Sequence, residues 1–388
     1  MDAVRNPFAP GAGSQPPELV GRDDIIENAN IAIQRIKQGR NVQHQIMLGL
    51  RGVGKTVLLN RIENIADGHD HFVSFIEAPD DRKLAELLYP KIHNILRNAS
   101  LVEKAKTLAH NGMRTLLSFA SAFKVKIHDV SISVDPLPGN ADSGNLEEDL
   151  TSLFQIVGKA VQATGRAWTL LIDEVQYLQN EELSALIVAL HRANQKNLPI
   201  LFFGAGLPQI AALSGNAKSY AERLFIFQKI DALDKKSSKL AIREPIEEEG
   251  ERINNNALNE IIEQTKGYPY FLQEWGYQAW NVAEKSPFTL KDVQIATKKA
   301  FARLDEGFFK VRYDRLTPKE REYILAMAKL GKGPYRSADV AHELGEDIKK
   351  LGPVRAKIIH KGMIYSPEHG DIDFTVPLFT DFLKRKFL

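Results

Sequence analysis

The chain has 388 residues, 44% of them hydrophobic and 26% charged. That balance supports a buried core and excludes a disordered or low-complexity protein. Lys and Arg number 51 against 49 Asp and Glu, and there is no cysteine. Disulfides, thiolate metal sites and a cysteine nucleophile are excluded, and any nucleic-acid surface has to be local rather than a whole-chain property. No apolar run approaches the ~20 residues needed to span a bilayer, and no signal-peptide core opens the chain. The expectation is a cytoplasmic protein with no membrane partner.

Residues 1–17, punctuated by Pro7, Pro10, Gly11, Gly13, Pro16 and Pro17, read as a flexible arm. In ELVGRDDIIENANIAIQRIKQG, residues 18–39, Asp23 or Asp24 can cap a helix that carries Ile25, Ile26, Ile33 and Ile36 and stops at Gly39. An apolar strand over 42–50 then runs straight into glycines. Segments 71–76, 168–173 and 199–206 have the same apolar character and read as parallel strands covered on both faces. Amphipathic helices over 82–97, 146–163 and 181–194 lie between them. The pattern is α/β, with an excursion over 98–145. There, 101–122 reads as a helix, 124–134 as a strand whose phase slips at His128–Asp129, and 136–145 as a loop. This insertion is either a surface for a protein partner or a plain elaboration of the fold. Helices dominate from 236 to 310, and a different pattern occupies 311–388.

Residues 49–56 read GLRGVGKT, a G-x-x-x-x-G-K-T between a strand and the helix VLLNRIENIA. Gly49, Gly52 and Gly54 let the loop curl so that backbone amides, Val53 and Val57 flanking them, face a polyphosphate at a helix N-terminus. Lys55 can reach β- and γ-phosphates, and Thr56 can ligate Mg²⁺. In WTLLIDEVQYL, residues 168–178, Asp173 at a buried strand end can complete the Mg²⁺ shell, and Glu174 can polarise an attacking water.

Together with ELVGRDDI, FFGAGLPQI and TKGYPYFL, these motifs resemble AAA+ P-loop ATPases over residues 18–290, and more closely the initiator-type origin-recognition clade and the related STAND signalling ATPases. The resemblance implies ATP bound with Mg²⁺ between a three-layer αβα core (18–235) and a helical lid with its connecting helix (236–310). It assigns Val20, Gly21 and Arg22 to the adenine pocket. It makes Arg223 a candidate arginine finger acting in trans within a homo-oligomer, against the plainer reading of a local salt bridge. Two departures stand out. The fourth strand ends Phe203-Gly204-Ala205-Gly206, with no polar sensor side chain, and the lid motif lacks its sensor arginine, with Tyr270 and Gln273 in that region. Both fit a slow switch better than a motor.

The tail, 311–388, reads as three helices and a hairpin and looks like a winged helix. Thr317, Pro318 and Glu320 form a helix-start signature, and Gly345 and Gly362 end the second and third helices. It holds 15 Lys or Arg against 11 Asp or Glu. Lys349, Lys350, Arg355, Lys357 and Lys361 cluster on or beside the third helix and are candidates for duplex DNA. Glu368, Asp371 and Asp373 make the hairpin acidic, which tempers that reading. The alternatives are a slowly hydrolysing, DNA-associated ATP switch and a STAND-like regulator whose winged helix contacts proteins. A metabolic kinase is disfavoured, since neither lid nor tail offers acceptor chemistry. Phe308, Phe309 and Tyr313 in the connecting helix are suited to dock the tail on the ATPase.

Overall fold

The computed structural model describes residues 1–11, 20–79, 81–125, 135–137, 139–368 and 370–388. The first unit alternates strands and helices: α1 (Asp23–Lys37), β1 (His44–Leu48), α2 (Lys55–Gly68), β2 (Phe72–Glu77), α3 (Leu84–Ala99), α4 (Lys106–Ala122), α5 (Leu146–Ala163), β3 (Trp168–Asp173), α6 (Asn180–Gln195), β4 (Ile200–Gly206), α7 (Ile210–Ala217), α8 (Ala221–Leu224) and β5 (Phe225–Lys229). All five strands are parallel, in the order β2-β3-β4-β1-β5. Every residue of β1, β3 and β4 is buried, as apolar runs covered by helices on both faces require. The order brings the carboxyl ends of β1 and β3 to the same edge on either side of β4, where ligands of open α/β sheets bind.

The insertion is part of the core. Leu116, Phe119 and Ala120 of α4 pack with α3 and α5, and a Cβ on Gly112 would come within 2.6 Å of Leu96. Residues 126–134, which carry most of the expected strand, lie outside the described residues.

The second unit is helical: α9 (Lys235–Glu248), α10 (Asn255–Thr265), α11 (Pro269–Val282) and α12 (Leu290–Leu304). A π-helical stretch, Asp305–Phe309, carries α12 into α13 (Lys310–Asp314). Residues 1–11 depart from the expected loose arm. Phe8 is 2% exposed and sits over Gly276, where a Cβ would be 2.6 Å from its ring, while Trp280 donates through Nε1 to the Asp2 carbonyl at 2.7 Å. Those contacts bury an aromatic ring, which the Pro/Gly content of the segment does not reveal.

The tail runs α14 (Pro318–Lys329), β6 (Tyr335–Arg336), α15 (Ser337–Leu344), α16 (Ile348–His360), β7 (Ile364–Tyr365), β8 (Asp371–Phe374) and α17 (Phe379–Phe387), with a three-stranded sheet β6-β8-β7. Helix, short strand, two helices and a hairpin is the element order of a winged helix, here closed by a further helix. The expected capping box of α14 forms, Thr317 accepting the Glu320 amide and Glu320 accepting the Thr317 amide. Phe309 is fully buried among Phe271, Phe379 and Phe382, and Tyr313 stacks on Phe387 at 4.3 Å. One apolar cluster therefore runs from lid to tail.

Candidate functional site

The loop between β1 and α2 is shaped by its glycines. Gly52 and Gly54 have φ of 85° and 91°, which only glycine adopts without strain, and a Cβ on Gly49 would meet the Ile230 carbonyl at 2.2 Å. The loop then presents the first amides of α2 to one cavity. Lys55, 7% exposed, folds back to donate to the carbonyls of Gly49 and Leu50, both at 2.9 Å. Burial lowers its pKa, with Glu174 and Asp173 opposing that shift.

At the end of β3, Asp173 is 3% exposed and accepts the Thr56 hydroxyl at 2.5 Å and the Glu174 amide at 2.8 Å. Burial raises its pKa, against the hydrogen bond from Thr56. A hydroxyl and a carboxylate joined in this way, with space beside them, form a hard-oxygen donor set that suits Mg²⁺. Glu174 adopts a left-handed backbone, φ 55°, a strained position for a non-glycine residue. Its carboxylate faces the cavity, 3.9 Å from Arg51 Nη1.

The cavity, about 260 Å³, is lined by charged and by apolar groups. Arg22, Arg51, Lys55 and Arg312 bring positive charge; Val20, Leu233, Ala241, Pro269 and Leu272 bring apolar surface. Gly52, Val53, Gly54, Thr56 and Val57 also line it, as do Ala9, Pro10 and Gly11 of the N-terminal segment. Gly21 sits beside it against Ser237 of the lid, and Arg22 donates to the Val53 carbonyl at 3.5 Å and to that of Asp231. The lid closes on the loop, the Tyr270 amide donating to the Gly52 carbonyl at 3.1 Å. Thus the residues expected at a nucleotide site converge, except Arg223.

Arg223 is exposed on α8, at the amino end of the sheet, where its carbonyl accepts from Gln43 Nε2 at 2.9 Å. The P-loop lies at the opposite, carboxyl end of β1. Within one chain Arg223 does not reach the cavity, so any part in the site would be played on a neighbouring copy; the plainer reading of a solvated surface arginine needs none.

Two contributors carry no motif signal. Gln176, in the turn after β3, donates to Glu174 Oε2 through Nε2 and accepts the Leu207 amide at 3.1 Å through Oε1. A Cβ on Gly206 would come within 2.8 Å of that oxygen. The bare glycine tip of β4 is therefore the space that the Gln176 side chain fills. The second contributor, Arg312, arrives from α13.

The C-terminal module docks beside this cavity. The Arg51 amide donates to the Thr375 carbonyl at 3.1 Å, and Arg51 Nη2 donates to Tyr177 Oη at 2.6 Å, where a Cβ on Gly362 would collide with it. Tyr365, on the hairpin, has its pKa pushed up to about 12 by burial, with Asp373, Tyr268 and Asp231 acting in the same direction. The contacts at Gly362 and Thr375, on either side of the hairpin strands, turn the hairpin toward the ATPase side. Of the five basic candidates, Lys349, Lys350 and Lys357 are exposed. Arg355 donates to Ser337 Oγ at 2.9 Å, and Lys361 pairs with Glu320 at 2.6 Å and with the Arg315 carbonyl at 3.0 Å. Those two are partly buried and bonded within the module, unlike the three exposed lysines.

Fold and site define a class: a P-loop/AAA+ α/β core followed by a helical lid. A family model for an AAA domain matches residues 42–208, and one described as a domain of unknown function (DUF8462) matches 306–383. Among solved structures, the chain is similar to the Walker-type ATPase of Pyrococcus abyssi, at 17% identity and a TM-score of 0.56, covering 96% of this chain and 100% of that one. It is also similar to the Thermotoga maritima RuvB Holliday junction branch migration motor (15% identity, TM-score 0.46, 95% and 98% covered) and to Aeropyrum pernix ORC1 in complex with DNA (11%, 0.47, 98% and 96%). The Pyrococcus likeness is one of fold; the other two, with TM-scores below 0.5, are too loose to carry more. No curated protein sequence matches the chain. No described helix is long and apolar enough to cross a membrane.

Proposed function

We propose that the chain is a Mg²⁺-dependent, slowly hydrolysing ATP switch of the initiator or STAND type, whose winged helix binds duplex DNA. The observation that carries the nucleotide half is that Lys55, Thr56 and Glu174 line one cavity, with Asp173 bonded to Thr56 at its edge. Loop amides and Lys55 hold the phosphates; Thr56 and Asp173 hold Mg²⁺, which screens phosphate charge when bound. Glu174 orients the attacking water. The apolar side of the cavity, with Val20 and Leu272, suits a purine base, Gly21 and Arg22 setting the turn that frames it. Gln176, tied at once to Glu174 and to the end of β4, takes the place of a polar side chain on that strand. A glutamate drawn toward Arg51 is consistent with slow turnover.

Exposed Lys349, Lys350 and Lys357 on α16 support DNA contact. A hairpin turned toward the ATPase instead favours the second reading, a regulator whose module contacts proteins. On either reading a homo-oligomer would use Arg223 in trans. A partner at 98–145 would have to use surface other than the buried face of α4.

Fluorescence-polarisation titration of labelled duplex with wild type, K55A and E174Q, with and without Mg·ATP, tests both halves. The DNA-switch reading expects salt-dependent binding whose affinity changes with ATP in the wild type and not in K55A. Absence of duplex binding at low salt in every nucleotide state refutes it in favour of the protein-directed reading.

A further inference from the structure

Arg312 is left without a role by the P-loop reading. It lies on α13, in the last turns of the helical run joining lid to winged module, and it lines the same cavity as Lys55, Thr56 and Glu174. Its guanidinium sits 3.9 Å over the Phe308 ring, and Nη1 donates to the Phe308 carbonyl at 3.1 Å. Phe308 in turn stacks on Tyr270 at 4.8 Å, and Tyr270 is bonded to the P-loop through its amide. The π-helical stretch Asp305–Phe309 sets this register, sending Phe309 into the core and leaving Phe308 beneath the arginine. Such local π geometry recurs where a helix is bent to place a functional group.

The electrostatics are unusual for a structural arginine. The groups that bear most on its charge are Arg51 from the P-loop, Arg315 from the end of its own helix, Tyr270 from α11 and Tyr177 from the turn after β3; no carboxylate is among them. Burial and the two arginines bring its pKa down to about 10, so it remains charged at neutral pH. A desolvated cation facing other cations is costly unless an anion completes the site. Four cationic side chains, Arg22, Arg51, Lys55 and Arg312, line the cavity, with Glu174 as its acidic lining residue. The excess positive charge matches a polyphosphate with more than one charge to place. A guanidinium fork fits phosphate oxygens in a way that an ammonium does not.

We propose that Arg312 holds the terminal phosphate of a bound nucleoside triphosphate, and so distinguishes triphosphate from diphosphate from the connector rather than from the lid. The inference rests on the P-loop reading. Arg312 occupies the entry to the winged module, and the Arg51–Thr375 bond holds the far side of that module against the same loop. A phosphate grip at Arg312 therefore bears on two of the places where the module meets the ATPase and lid.

Equilibrium binding of fluorescent ATP and ADP analogues with Mg²⁺ to full-length wild type, R312A, R312K and K55A tests this. The expected result is a preference for ATP in the wild type. R312A lowers ATP affinity about tenfold, the worth of one charged hydrogen bond, while ADP affinity stays within about twofold. R312K, which keeps the charge but loses the fork, falls between them. An unchanged ATP-to-ADP ratio in R312A, whether both affinities persist or both fall, overturns the proposal. Should R312A fail to fold, as its thermal midpoint would show, an unchanged ratio in R312K overturns it as well. If K55A binds both nucleotides as tightly as the wild type, it is the P-loop reading that fails, whatever Arg312 does.

Discussion

Cations are held in opposite ways in the two functional regions. Around the P-loop, Lys55 is buried, and Arg22, Arg51 and Arg312 are half-buried and fixed by carbonyls, a phenol or a ring. On α16, Lys349, Lys350 and Lys357 stand in solvent. The first arrangement accepts a desolvation cost to place charge at defined points, which suits one small polyanion. The second keeps its hydration and attracts any polyanion through counterion release, so it positions without specifying. Lys361 shows how easily the two are confused in sequence. It adjoins the exposed group, yet it neutralises Glu320, which is 3% exposed by side chain, at the start of α14.

The largest expected effect breaks the α16 half. Replacing Lys349, Lys350 and Lys357 together by Ala should reduce the slope of log affinity for duplex against log salt by about 3, roughly one for each phosphate no longer neutralised. K361A should leave that slope unchanged and instead lower stability by about 1–3 kcal/mol, by leaving the buried Glu320 carboxylate without its cation. A K361A protein with native stability and a shallower salt slope would place Lys361 with the solvated group. Next in size, Q176A should slow hydrolysis about tenfold, near 1.4 kcal/mol of barrier, while ATP affinity stays within about twofold. An equal loss in both would mean that Gln176 shapes the pocket rather than orienting Glu174.

A separate effect, felt only in acid, concerns the sheet beneath the pocket. Burial pushes His44 down to about 3 and His71 down to about 4. Above about 6.5 both are neutral in folded and unfolded chains, so neither affects stability. Below that, the unfolded chain takes up protons that the folded one refuses. Stability should therefore fall as pH drops from about 6.5 toward 4, by about 1.4 kcal/mol per pH unit for each histidine. Denaturant midpoints that stay flat over that range in wild type, or that fall identically in an H44F variant, would contradict this.

Much of the candidate site is legible in the chain because its parts are local. Gly49 to Thr56 form one loop, Asp173 and Glu174 are adjacent, and both follow apolar runs that could only be buried strands. Arg312 is not legible, since nothing near it in sequence reports that a distant helical run returns to the loop. Gln176 is hidden for a different reason: the signal is the missing side chain at Gly206, which reads as a gap until the neighbouring turn is seen to fill it. Phe225–Lys229 escapes notice as a strand because it lies at the sheet edge, with Ile226 41% exposed, and so lacks the continuous burial of β1. Arg355 and Lys361 look free because their partners, Ser337 and Glu320, lie on other helices.

The central claim is that the desolvated cluster around Lys55 is a nucleotide-phosphate site. Calorimetric titration of the full chain with ATP in Mg²⁺, beside K55A, tests it most directly. The account predicts one-site binding in the wild type, weakened roughly 10- to 100-fold in K55A, as loss of a charged hydrogen-bond donor implies. No heat of binding with the folded wild type, or equal affinity in K55A, would contradict it.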